Sequence, residues 1–110
     1  MTAGDILTLV REMINDEKED YRFSDAEVYR AMDEAQREMV YERPATRMGS
    51  DGTYSTLNTL DDSADVITVD TVYKQALAHL VCSKLYVKDG EDDQNLRLGD
   101  FHYKRYLGEI

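Results

Sequence analysis

A hydrophobic seam framed by its own start and stop signals does most to limit how this chain can fold. Ser24-Asp25-Ala26-Glu27 is a capping box, and Phe23 stands where a hydrophobic staple residue belongs. Val28, Met32, Ala35 and Met39 follow at intervals of four, three and four residues, a narrow stripe suited to packing on another helix. Pro44 ends the segment by disfavouring helical backbone at Arg43. A helix of this kind must be covered by other apolar helical faces, and the sequence offers three more.

Ile6, Leu9, Val10, Met13 and Ile14 share one stripe behind Thr2 and Asp5, a capping box with Asp in the Glu role. The spacing predicts helices over 3–15 and 25–43. A third, over 71–88, starts after Asp70, a good N-cap. Val72, Tyr73, Ala76, Leu77, Leu80, Val81 and Leu85 give it the widest apolar face in the chain. Lys84 and Lys88 lie where the helix dipole favours cations, and Asp89-Gly90 breaks the helix, with Gly90 suited to a left-handed C-cap. The fourth, over 93–108, opens on Asp92 and Asp93 and turns Leu96, Gly99, Tyr103, Tyr106 and Leu107 inward. Gly99 costs up to ~1 kcal/mol relative to Ala in a helix interior, which predicts close contact with a neighbouring helix.

Between residues 44 and 70 the period changes. Met48-Gly49-Ser50-Asp51-Gly52 is turn chemistry. Thr53–Leu57 and Val66–Val69 are short β-prone runs around Asp61-Asp62-Ser63, open to a two-stranded ribbon or to coil. So long a loop is usually functional or disordered, so a partner-binding element is expected here, mobile until it binds. The expected fold is all-α: one domain over 1–110, a four-helix bundle with this long loop between helices 2 and 3.

Charge narrows the function. The chain carries 23 acidic and 13 basic side chains, a net −10. Residues 1–43 hold −6, residues 44–70 hold −4, and residues 71–110 are neutral. That balance argues against a general nucleic-acid binder, which needs surplus Lys and Arg. No apolar run approaches the ~20 residues of a membrane span, and Thr2–Asn15 lacks the basic start of a signal peptide. A single cysteine, Cys82, builds neither a disulfide framework nor a Cys-rich metal site.

Chemistry-bearing constellations are few. His79 and Cys82 lie three apart on one helix, but a Cys-His nucleophile needs an orienting group and an oxyanion donor that no spacing supplies. A small buried thiol is the better account of Cys82. His79 and His102 lack a third ligand at metal-site spacing. The acidic runs at 16–20, 61–65 and 91–93 miss the EF-hand pattern and read as solvated connectors. No phosphate-cradling Gly loop is present. Eight tyrosines and no tryptophan tilt the chain toward an assembly surface, where Tyr is enriched.

Two stretches resemble the head-to-tail adaptor (connector, or head-completion) proteins of tailed bacteriophages. The first joins Ile6-Leu7-Thr8-Leu9-Val10-Arg11, then Asp16, to Arg22-Phe23-Ser24-Asp25-Ala26-Glu27-Val28, Asp33-Glu34-Ala35-Gln36-Arg37-Glu38 and Arg43-Pro44. The second runs from Ala76-Leu77-Ala78-His79-Leu80-Val81 through Leu85-Tyr86 and the acidic turn Lys88–Asp92 to His102-Tyr103 and Tyr106-Leu107. Residues 4–44 and 72–108 carry the likeness; the middle has no counterpart.

The resemblance implies a virion protein of the head–tail junction, made in the host cytoplasm, without enzymatic activity or cofactor. It implies a ring, usually of about twelve copies, placed between a portal protein and a tail or nozzle protein. DNA would pass through without specific binding, and no membrane is involved. On this footing Tyr41, Tyr54, Leu57, Leu60, Val66, Ile67, Leu107 and Ile110 are candidates for contacts with partners or neighbouring copies, the last of them reaching toward the portal. Asp16, Glu17, Glu19, Asp20, Asp33, Glu34 and Glu38 are candidates for an acidic channel lining, where like charge lets the duplex slide. The rival reading from charge alone is an acidic DNA mimic that inhibits a nucleic-acid-binding protein.

Overall fold

A computed structural model describes residues 1–16, 22–48, 52, 57–88 and 93–109, the side chain of Asp93 excepted. Four helices form: α1 (Ala3–Met13), α2 (Asp25–Glu42), α3 (Lys74–Lys88) and α4 (Asp93–Glu109). Short 3-10 turns at Pro44–Arg47 and Thr71–Tyr73 follow α2 and lead into α3. Both capping boxes are made. Thr2 and Asp5 exchange bonds of 2.9 and 3.3 Å, and Ser24 accepts from the Glu27 amide at 3.2 Å. Asp70 caps the 3-10 turn before α3 by accepting from the Val72 amide. The Gly90 cap falls outside the described residues.

α3 is the axis of the molecule. Its residues from Ala76 to Ser83, with Leu85 and Tyr86, are all buried, because α1, α2 and α4 each pack against it. A helix apolar around most of its circumference belongs in the centre of a bundle. The other three show it one face each: Ile6 and Val10 from α1, Val28, Met32, Ala35 and Met39 from α2, Tyr106 from α4.

The α4 face differs from its predicted composition. Asn95, Gly99, His102 and Tyr106 point inward at intervals of four, three and four, while Leu96 and Leu107 are half exposed. Gly99 sets this phase. A Cβ there would stand 3.3 Å from Val87 Cγ2 and 3.5 Å from both the Ser83 carbonyl and Tyr86 Cβ, so the close contact lies within the protomer.

In the loop, the two-stranded ribbon that the sequence left open is not confirmed. The run Thr53–Thr56 lies outside the described residues, and Val66 forms one isolated antiparallel bridge, to Thr2. Around it Ala3 donates to the Asp65 carbonyl at 2.8 Å and Ile67 to Met1 at 3.0 Å. Residues 65–67 therefore pair with the chain start. Gly4 permits this approach, since a Cβ there would press on the Ser63 carbonyl at 3.1 Å.

The described half of the loop is tied to α2 by side-chain hydrogen bonds. Fully buried Gln36 donates to the Asn58 carbonyl and accepts from the Thr68 amide at 3.2 Å, so one α2 side chain grips both limbs. Asp33 accepts from the Leu60 amide at 3.1 Å, and Asp70 donates to the Thr46 carbonyl at 2.7 Å. Leu60, Ile67 and Val69 then join the core.

Candidate functional site

The candidate assembly residues divide by burial. Tyr41 is 88% exposed at the end of α2, Val66 57%, and Leu107 49% on α4. Leu57 packs half-buried against the core. Leu60 and Ile67 must be withdrawn: at 2% and 5% exposure they are spent on their own core, because the Gln36 and Asp33 bonds draw the loop onto α2. Tyr54 and Ile110 lie outside the described residues. Val72, expected on the apolar face of the third helix, is instead 77% exposed because it falls in the 3-10 turn before α3, and Val87 and Phe101 are exposed large apolar side chains that the helical pattern did not single out.

Among the acids, Asp16 is withdrawn as a lining residue. α1 ends in a left-handed Asn15 (φ 56°), with Asn15 donating to Glu12 and Asp16 to Arg11, the paired bonds of a Schellman motif. That turn delivers the Asp16 carboxylate to the Arg11 guanidinium at 3.0 Å, where it also accepts from the amides of Arg22 and Phe23. Arg11 is itself buried and reaches the Phe23 carbonyl and the Asp25 carboxylate. Asp16 is thus the clasp between α1 and α2, not a solvated connector. Asn15 was the signal for it, being second to Gly at this cap position. Glu17, Glu19 and Asp20 lie outside the described residues.

Asp33 is half-buried, bound to the Leu60 amide and to Arg37 at 2.9 Å. Glu38 pairs with Lys84 of α3 at 3.2 Å. Glu34 is exposed between two grooves. The first, of about 310 Å³, has Leu80, Val87 and Tyr103 as its floor and Glu34 and Glu38 opposite Lys84 on its rim. The second, of about 400 Å³, lies between α2 and residues 59–61.

The 61–65 turn is built around its own carboxylates. Asp65 accepts from the amides of Asp61 and Asp62 at 2.9 and 3.0 Å, bonds that favour its ionised form and lower its pKa. Asp61 is raised, chiefly by a side-chain hydrogen bond with Asp65 and then by that residue's charge.

Imidazole and thiol placement bears on chemistry. Burial pushes the Cys82 thiol up to about 12, so it holds no thiolate at neutral pH; it donates to the Met13 sulfur at 3.9 Å. His79 and His102, 23 positions apart in sequence, meet at 2.9 Å between their Nδ1 atoms inside the α3–α4 contact. The sequence hid this pair, because only the phase fixed by Gly99 turns His102 inward. Among the described residues no group of three or more His, Cys, Asp or Glu side chains could hold a metal ion, and no helix is long and apolar enough to cross a membrane.

No protein-family model, curated protein or solved structure matches the chain.

Proposed function

We propose that the chain is a structural subunit of a tailed-phage head-to-tail junction. In this reading it stands beside identical copies in a ring between portal and tail and extends the DNA channel. The observation that carries it is the set of large apolar side chains left outside an otherwise closed bundle. Tyr41, Val66, Val72, Val87, Phe101 and Leu107 are all about half exposed or more, and they are the large apolar side chains available to meet other protein. The order of sequence motifs through 4–44 and 72–108 supplies the kind of assembly.

Glu34 and Glu38 on α2, with Glu17, Glu19 and Asp20, are the proposed lining acids. A duplex carries one phosphate charge per ~1.7 Å of axis, and an acidic wall gives it nothing to hold. Genome release from particles carrying Glu34→Lys and Glu38→Lys tests this. Slowed or arrested release is expected; release at the wild-type rate would contradict the channel reading.

The exposed Asp61 and Asp62 favour a second reading, a carboxylate array that imitates DNA phosphates and blocks a basic protein. Such an inhibitor would act as a monomer or dimer and bind its target with steep salt dependence.

A further inference from the structure

We propose that the outer face of α4 is one half of a head-to-tail contact between copies of this chain, seated in the groove between α2 and residues 59–61 of the next copy. It rests on the side-by-side reading above and adds which surfaces meet.

The protruding half centres on Phe101, 53% exposed in the middle of α4. Arg97 and Arg105 flank it at i−4 and i+4, with Lys104 at i+3, so the three cations surround one aromatic ring on a single helical patch. Arg97 and Arg105 form no hydrogen bond or ion pair among the described residues. Lys104 has an exposed pair with Asp100 at 2.9 Å, which costs little to exchange. Elsewhere in this strongly acidic chain Arg11, Arg37 and Lys84 all hold carboxylates. Among the described residues, then, Arg97 and Arg105 stand beside an exposed Phe without a carboxylate, and Lys104 has only an exposed one.

The receiving half is the groove of about 400 Å³. Tyr29 and Leu60, both nearly sealed, lie at its base, and Glu34 and Asp61 give it an acidic rim that Asp62 and Asp65 extend, against Arg30 and the Arg37 that already holds Asp33. Its charge and shape complement the α4 patch: a ring for the floor and guanidinium groups for the rim, the arrangement of an amphipathic helix in a groove. The occupant is a second copy, because one copy cannot fill its own groove. α4 is held by α3, whereas the groove lies beyond α2 and is framed by a segment tied to α1 and α2. Two different surfaces that mate head to tail repeat around a closed ring if the rotation closes.

Disulfide capture tests the contact, because the native Cys82 is buried and does not compete. Full-length chains with Gly108→Cys, on the Phe101 face of α4 with open space around its Cβ, and with Ala26→Cys, a residue lining the groove, are mixed under mild oxidation. A severalfold excess of the mixed dimer over both same-variant dimers is expected, with loss of that excess in high salt. Arg97→Glu with Arg105→Glu should abolish it, and Asp61→Lys with Asp62→Lys in the other chain should restore it. Equal yields of all dimers, or a dominant Gly108→Cys self-dimer, overturn the proposal. Rings that form from the Arg97→Glu, Arg105→Glu chain as well as from the wild type also overturn it, yet leave the side-by-side reading standing. Cysteine variants that cross-link without preference, together with a wild type that assembles in no condition, sink both.

Discussion

His79 and His102 join α3 to α4 through a single Nδ1–Nδ1 hydrogen bond of 2.9 Å between two nearly sealed imidazoles. One ring must donate its Nδ1 proton and the other accept it, so at least one of the two must be neutral with a bare Nδ1. Tyr86 stacks on His102 at 5.8 Å and Phe101 meets it edge-on at 5.2 Å. A second proton would set two N–H donors against each other.

Acid should therefore loosen this contact before it touches the carboxylates. Burial, then the neighbouring imidazole and Arg105, lower His102 from 6.5 to about 4; burial, then Arg105, lower His79, with Glu109 opposing. The unfolded chain binds protons near 6.5 that the fold refuses, so stability is full above 6.5 and falls as pH drops toward 4. The His102 shift is worth roughly 3 kcal/mol. Asp5 and Asp65 are lowered carboxyls, whose losses begin only below that window. Denaturant melts at pH 7, 5.5 and 4.5 check this. The slope should flatten in a chain with both His79→Gln and His102→Gln.

On the alkaline side burial raises Tyr106 to about 12, with Glu42 adding to the rise, and burial raises Cys82 to about 12. Groups raised in this way stabilise the fold below their unfolded values and lose that contribution as pH climbs through the folded ones. Stability should decline above pH ~9, and Cys82→Ala should shift the onset toward the tyrosine range in a pH-melt series.

Breaking the Arg11 clasp should be costly. Arg11→Met leaves the Asp16 carboxylate nearly buried without its cation, a loss of about 3–5 kcal/mol. Asp16→Asn in the same chain should recover part of it, which a double-mutant cycle by urea unfolding would show.

The Asp33 and Gln36 bonds predict that the Leu60 and Thr68 amides exchange slowly with solvent in the free chain. Gln36→Ala strands the Thr68 amide and the Asn58 carbonyl, for about 2–3 kcal/mol. Hydrogen exchange on wild type and variant should show the Thr68 amide losing protection while α3 keeps its own.

Gly99 separates propensity from packing. Its nearest obstacle is the tip of exposed Val87, which can yield. Gly99→Ala should then be neutral or gain up to ~1 kcal/mol, whereas Gly99→Leu should cost about 1–3 kcal/mol by overpacking. Thermal melts of the two variants decide it.

Helix positions were legible because capping boxes, periodicity and Pro44 act within a few residues of one another. The phase of α4 was legible only in part. Gly99 marked a close helix contact, but nothing local showed that Ser83 and Tyr86 meet it, and that contact turns His102 and Asn95 inward in place of Leu96 and Leu107. Leu60 and Ile67 looked like surface for the same reason: their burial depends on Gln36, a polar residue inside an otherwise apolar seam. Asp16 looked solvated because five charged residues in a row suggest water, while the cap at Asn15 redirects the first of them inward.

The mass of the assembled protein, measured on the purified chain alone and mixed with portal rings, tests the central claim most directly. The account predicts that a fixed set of copies, about one per portal subunit, joins each ring by contacting one another. A single copy bound to a basic nucleic-acid-binding protein, with no contact between copies in any mixture, would contradict it.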